Sequence, residues 1–202
     1  PLLSYGEFSV TQDVGNIQMY SCALPTIESE YPRFSRRDRS LLVACGTTDN
    51  AVPLFRKVIH RLVASGIKPF SRVFAEPSLL ADVNHPDFHI ADFSREMFTN
   101  VSVTIGRPGF GAITDCLTFG VKFFALFERE NLEMTRNAEL LRLKGLGERY
   151  SSVDKVIYDV KEYAENSRQQ QIFKIHHGEF WSANRYLPSA PDAVQTWRSK
   201  TL

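Results

Sequence analysis

The chain has 202 residues, 43% hydrophobic and 23% charged, with eleven Gly and ten Pro spread along it instead of gathered in a tract. That is one globular domain of ordinary size with a real core, because chains split into separate domains only beyond about 250 to 300 residues. Twenty-four Lys and Arg balance 23 Asp and Glu, and neither sign forms a run long enough to cover a face, which argues against a nucleic-acid or membrane-surface footprint.

Residues 1–40 read as an irregular lead-in or interdomain segment. Its densest charge feature is the cluster Arg33, Arg36, Arg37 and Arg39, which Glu28, Glu30 and Asp38 dilute into a solvated loop. A repeating texture then starts. Residues 41–44 are a short apolar strand closed by the small, polar loop Cys45-Gly46-Thr47-Thr48-Asp49-Asn50. Val52, Phe55, Val58, Ile59, Leu62 and Val63 recur at helical spacing up to Gly66.

Residues 72–75 and 88–91 predict two more strands, and the β-branched run 101–105 a further one. The loop Gly106-Arg107-Pro108-Gly109-Phe110-Gly111 opens a helix carrying Ala112, Ile113, Cys116 and Leu117 on one face. Residues 121–127 form an almost unbroken apolar run, as a strand covered on both sides does. Helices follow at 132–144, with Met134, Ala138 and Leu141 in one stripe, and at Val153, Val156, Ile157, Val160, Tyr163 and Ala164.

Strands alternating with helices predict an α/β fold: a single Rossmann-like, doubly wound domain over 41–166, its mainly parallel sheet flanked by helices. Residues 167–202 form a tail in which Trp181, Tyr186 and Trp197 have the bulk to pack on this domain or on a neighbouring one.

Three cysteines, Cys22, Cys45 and Cys116, lie far apart and are odd in number, which fits a reducing, cytoplasmic setting. No stretch approaches the ~18 apolar residues of a membrane span. The sequence begins at Pro1, as a processed product or an excised fragment would. His60, His85, His89, His176 and His177 lack metal-ligand spacing, so no metal site is expected.

The chemistry concentrates at residues 106–111. Glycine lets a ligand approach the main chain with no Cβ in the way, and a helix N-terminus beneath such a loop presents amides and the positive end of its dipole to phosphate. Arg107 adds a grip on an anionic oxygen. Neither a Walker loop nor the dinucleotide fingerprint has this spacing. Asp115, one turn into the helix, suits paired ribose hydroxyls, as the acidic residue of dinucleotide sites does; it equally suits the helix dipole. Past the apolar strand, Glu128, Glu130 and Glu133 could hold sugar hydroxyls or serve as helix N-terminal charges.

The strand, Arg107-Pro108-Gly109-Phe110-Gly111, Asp115, the second strand and Asn137-Ala138 together resemble the C-terminal, donor-binding domain of GT-B glycosyltransferases. The likeness is greatest to glycosyltransferase family 28, the family of the bacterial N-acetylglucosaminyltransferase that forms lipid II. It implies that Arg107, Gly109, Phe110, Gly111 and Ala112, with Thr47 and Thr48, bind the donor diphosphate, and that Asp115 takes the ribose in place of the usual Glu. Glu133 and Met134 stand where many members have Asp-Gln or Gln-Gln on the donor sugar, with Asn137 one turn on. Met134 departs from that pattern, since a thioether cannot donate a hydrogen bond to a hydroxyl. Cys45 departs too, replacing one glycine of a double-glycine loop.

The resemblance further implies a UDP-sugar substrate, transfer of a hexose or N-acetylhexosamine to an acceptor hydroxyl, and no cofactor or obligatory metal. Catalytic residues are expected in an N-terminal acceptor domain or a partner chain, with any membrane link only through the acceptor. The alternative is a non-catalytic nucleotide-binding or regulatory module with a degenerate sugar site.

Overall fold

Six short strands pair in parallel in the computed structural model, which describes residues 2–5, 19–22, 39–46, 49–128, 131–143 and 145–166. Strands β1 (Leu2–Tyr5) and β2 (Met19–Cys22) form a separate two-stranded parallel pair, so the segment read as irregular contains paired backbone. The main unit runs β3 (Ser40–Ala44), α1 (Val52–Ser65), β4 (Arg72–Ala75), β5 (Phe88–Ile90), α2 (Arg95–Asn100), β6 (Val101–Gly106), α3 (Phe110–Thr118), β7 (Lys122–Leu126), α4 (Leu132–Leu143), β8 (Gly147–Tyr150) and α5 (Val153–Glu165).

The sheet order is β5-β4-β3-β6-β7-β8. Chain progress therefore runs outward one way from β3 through β5, then jumps to β6 and runs outward the other way, which is doubly wound topology with its switch point between β3 and β6.

The central strands β3, β6 and β7 are largely apolar because both faces are covered. Leu41, Val43, Val103, Ile105, Phe124 and Leu126 pack on one face under α1 and α5, where Phe55, Val58, Ile59, Leu62, Val156 and Val160 are all fully buried. The alternate residues Leu42, Ala44, Phe123 and Ala125 face α2, α3 and α4, with Met97, Ile113, Cys116, Met134, Ala138 and Leu141. Within the main unit, two elements were not anticipated from the sequence: the six-residue α2, capped by Ser94 Oγ accepting from Met97 N–H at 3.1 Å, and the edge strand β8.

Candidate functional site

At the carboxyl edge of the sheet, the chain leaves β3 and β6 on opposite sides of the switch point, and a cleft opens between the two loops. Ala44, Cys45 and Gly46 line one side, and Arg107, Gly109, Gly111, Ala112 and Asp115 the other. Glu76, Pro77 and Ser78, just past β4, and Phe93, past β5, complete it, enclosing about 690 Å³. That volume accommodates a small-molecule ligand, which needs roughly 300 to 1,000 Å³.

The turn from β6 into α3 is held from two directions. Arg107 N–H donates to Ala44 carbonyl at 3.0 Å, tying the turn to β3, and Asn137 Nδ2 of α4 donates to Pro108 carbonyl at 2.9 Å. Gly109 N–H donates back to Arg107 carbonyl at 2.8 Å, and the first helical bond runs from Ile113 N–H to Gly109 carbonyl at 3.0 Å. The first-turn amides of an α-helix have no intrahelical acceptor, so the backbone at Gly111 and Ala112 brings donors and the positive end of the helix dipole to the cleft wall.

The three glycines of this turn differ in why a side chain is absent. A Cβ at Gly106 would stand 2.8 Å from Phe123 Cζ and 3.2 Å from Thr104 Cγ2, so the core requires glycine there. A Cβ at Gly109 or Gly111 would meet nothing within 4 Å. Neither position needs glycine for packing, and both line the cleft; the missing side chains leave main chain open to a ligand.

Asp115 lies one turn along the cleft-facing side of α3 from Gly111. Burial holds its carboxyl above the usual aspartate range. Arg107 is largely buried, and its Nε lies 3.6 Å from Glu128 Oε2 at the end of β7, so the cationic charge at the turn is shared with an internal carboxylate. Facing it, Glu76 accepts Gly46 N–H at 2.9 Å on Oε1 and the Cys45 thiol at 2.8 Å on Oε2. Burial first, and then Glu76, push the Cys45 thiol up to about 12, which leaves it protonated and unsuited to act as a nucleophile at neutral pH.

Phe93 has a positive φ of 53° and is 44% exposed. Asp92 Oδ1 accepts Ser94 N–H at 2.9 Å beneath it, so hydrogen bonds hold the turn that presents an aromatic ring to the cleft. A non-glycine residue in this conformation costs of order 1 kcal/mol or more and is typical of ligand sites.

Of the anticipated site residues, the cleft brings together Arg107, Gly109, Gly111, Ala112 and Asp115. Phe110 opens α3 outside the lining. Met134 is 3% exposed and packs in the core beneath α4, and Asn137 is fully buried, serving the turn from below. Glu133 sits half-exposed in the first turn of α4 and does not line the cleft. Thr47, Thr48 and the aromatic tail lie outside the described residues. Glu76 and Phe93 escaped the sequence reading; the Asp-Phe-Ser turn ahead of a capped helix was the signal available for Phe93.

No protein-family model and no curated protein matches the sequence. Solved structures do. The chain is similar to CalG4, the calicheamicin glycosyltransferase, with a TM-score of 0.63 and 16% identity over 98% of this chain and 54% of that one. It is similar to the spinosyn rhamnosyltransferase SpnG complexed with thymidine diphosphate, with a TM-score of 0.60 and 14% identity over 93% and 54%. The glycosyltransferase SsfS6 of Streptomyces sp. SF2575, also complexed with thymidine diphosphate, aligns with a TM-score of 0.55 and 19% identity over 84% and 44%.

The chain has the fold of one half of a GT-B glycosyltransferase. It spans about half the length of the structures it matches. Among the described residues no cluster of His, Cys, Asp or Glu is placed to hold a metal ion, and no helix is long and apolar enough to cross a membrane.

Proposed function

We propose that this chain is the donor-binding half of a glycosyltransferase, and that the cleft at the switch point holds the nucleoside diphosphate of a UDP-sugar. The observation that carries the reading is the pair Gly109 and Gly111, whose lack of side chains no packing contact requires and which leave main chain open beside a helix N-terminus. In this site the diphosphate lies on the first-turn amides of α3, Asp115 accepts hydrogen bonds from the ribose, and Phe93 offers a face to the base.

A carboxylate with two acceptor oxygens suits the two hydroxyls of a ribose, which favours UDP over a thymidine diphosphate bearing a single ring hydroxyl. Likeness of the Gly106–Asp115 motif to the lipid II-forming family supports a UDP-hexose or UDP-N-acetylhexosamine donor. The α3 amides would stabilise the departing diphosphate, since donors pre-aimed at developing charge are a principal source of catalysis.

The acceptor site and catalytic base belong to a second domain or partner chain. The fold match to about half of each glycosyltransferase supports this. The chain as it stands binds nucleotide and turns over little or nothing.

Calorimetric titration of UDP, UDP-GlcNAc, dTDP and ADP tests the proposal: UDP and its sugar bind, dTDP binds more weakly, and indifference to all four would sink it. The burial of Met134 and the placement of Glu133 outside the cleft favour one other reading, a nucleotide-binding module without sugar selectivity. Equal affinity for UDP and every UDP-sugar would support that reading.

A further inference from the structure

Two loops flank the switch point, and both have the glycine and the exposed main chain that an anion needs. Their glycine amides differ in what they already bind. At the end of β3, Gly46 has a φ of +73°, and its amide already has an anionic partner: Glu76 Oε1, at 2.9 Å. The other carboxylate oxygen accepts the Cys45 thiol at 2.8 Å, so the side chain is fixed at both ends of its carboxylate. Its backbone is fixed as well, because Glu76 follows the fully buried Ala75 and precedes Pro77, which opens the 3-10 turn Pro77–Leu79.

We propose that Glu76 is a charge filter in the donor cleft: it occupies the Gly46 amide as an internal anion, bars ligand phosphate from that amide, and biases a diphosphate toward the α3 side. The inference rests on the donor-site reading above and adds a specificity-determining residue to it.

The charge balance of the lining sets the consequence. Glu76 and Asp115 are both carboxylates in one cleft, and the Arg107 charge is shared with Glu128. Like charges in a partly desolvated cleft repel more strongly than in bulk water. A nucleoside diphosphate meets this repulsion across the width of the site, while a further phosphate, extending toward Gly46, meets Glu76 itself. The cleft therefore selects diphosphate over triphosphate esters of the same nucleoside.

Calorimetric titration of uridine, UDP and UTP into the wild type, Glu76→Gln and Glu76→Ala tests this. Gln is isosteric and keeps an acceptor for Gly46 N–H, and Ala removes the plug altogether; melting curves confirm that each variant is folded. Expected are roughly three- to tenfold tighter UDP in both variants, a larger gain for UTP, and uridine unchanged. UDP affinity that stays the same or falls would overturn the proposal, a fall marking Glu76 as an acceptor for a ligand hydroxyl. An equal gain for uridine would overturn it too, since that gain would not come from phosphate. If the wild type binds UDP while the variants do not differ from it, the charge filter alone fails; if the wild type binds none of the three, the donor-site reading fails with it.

Discussion

Asn137 Nδ2 donates to Pro108 carbonyl at 2.9 Å from a side chain with no solvent exposure, joining α4 to the turn that launches α3. The bond fixes the Pro108–Gly109 peptide plane, whose N–H is in turn bonded to Arg107 carbonyl. A residue in the core thus sets the direction in which the N-terminus of α3 faces the cleft.

Asn137→Ala leaves the carbonyl of buried Pro108 without this donor, a loss of about 1 to 3 kcal/mol of stability. Urea unfolding measures that loss. UDP affinity falls with it, because the α3 amides are no longer held at the cleft wall. Full destabilisation with unchanged UDP binding would show that the clamp serves the fold alone.

Asp115 carries opposite consequences for binding and stability. Its carboxyl is raised above the ordinary aspartate value of 3.8 by burial, so the folded state holds this proton more tightly than the unfolded chain does. The sign follows: the penalty is absent at low pH, where both states are protonated, and grows as pH rises from 3.8 through the folded value. Asp115→Asn therefore gains stability relative to wild type across that window and keeps the gain at neutral pH. The same variant weakens UDP by about 10- to 100-fold, the value of a hydrogen bond to a charged group. Melting temperatures between pH 3 and pH 7 and one titration at pH 7 measure both effects.

The Cys45 thiol, pushed up to about 12, resists alkylation by iodoacetamide at pH 8 while the protein is folded. Glu76 contributes to that shift through the hydrogen bond it accepts and through its charge, whereas burial, the largest cause, is independent of it. Glu76→Gln thus lowers the thiol toward its ordinary value without reaching it, and alkylation of Cys45, followed by mass spectrometry, becomes measurably faster. Equal rates in wild type and variant would mean that burial alone sets the reactivity.

Much of the fold was legible because its strands are covered on both faces and so read as apolar runs: 41–44, 101–105 and 121–127 stand out, and the observed Ser40–Ala44, Val101–Gly106 and Lys122–Leu126 fall within a residue of them. The edge strand Gly147–Tyr150 escaped because the exposed Glu148 and Arg149 make its pattern polar. Met134 shows two signals in competition. Its place in the motif marked it for the sugar, while its spacing with Ala138 and Leu141 marked one helix face, and that face is the buried one. The Glu76 contact was beyond any local pattern, since the carboxylate reaches Cys45 across 31 positions and only the β3–β4 pairing brings them together. The turn at 106–111 was legible as a glycine-rich passage from strand to helix; that Gly106 serves the core while Gly109 and Gly111 face the cleft was not, because that depends on where Phe123 lies.

This division of glycines is the most direct handle on the account. Gly106→Ala drives a Cβ against Phe123 and destabilises the core, with no bearing on ligand. The double variant Gly109→Ala with Gly111→Ala meets no atom of the protein, and Ala at Gly111, in the first turn of α3, is the better helix former, which offsets the loss of Gly at the N-cap position 109. Calorimetric titration of UDP into that double variant, alongside its melting curve, is the decisive measurement. A melting temperature close to that of the wild type, with UDP affinity at least tenfold weaker, is the predicted result; wild-type affinity in the stable double variant would contradict the assignment of this turn to the diphosphate.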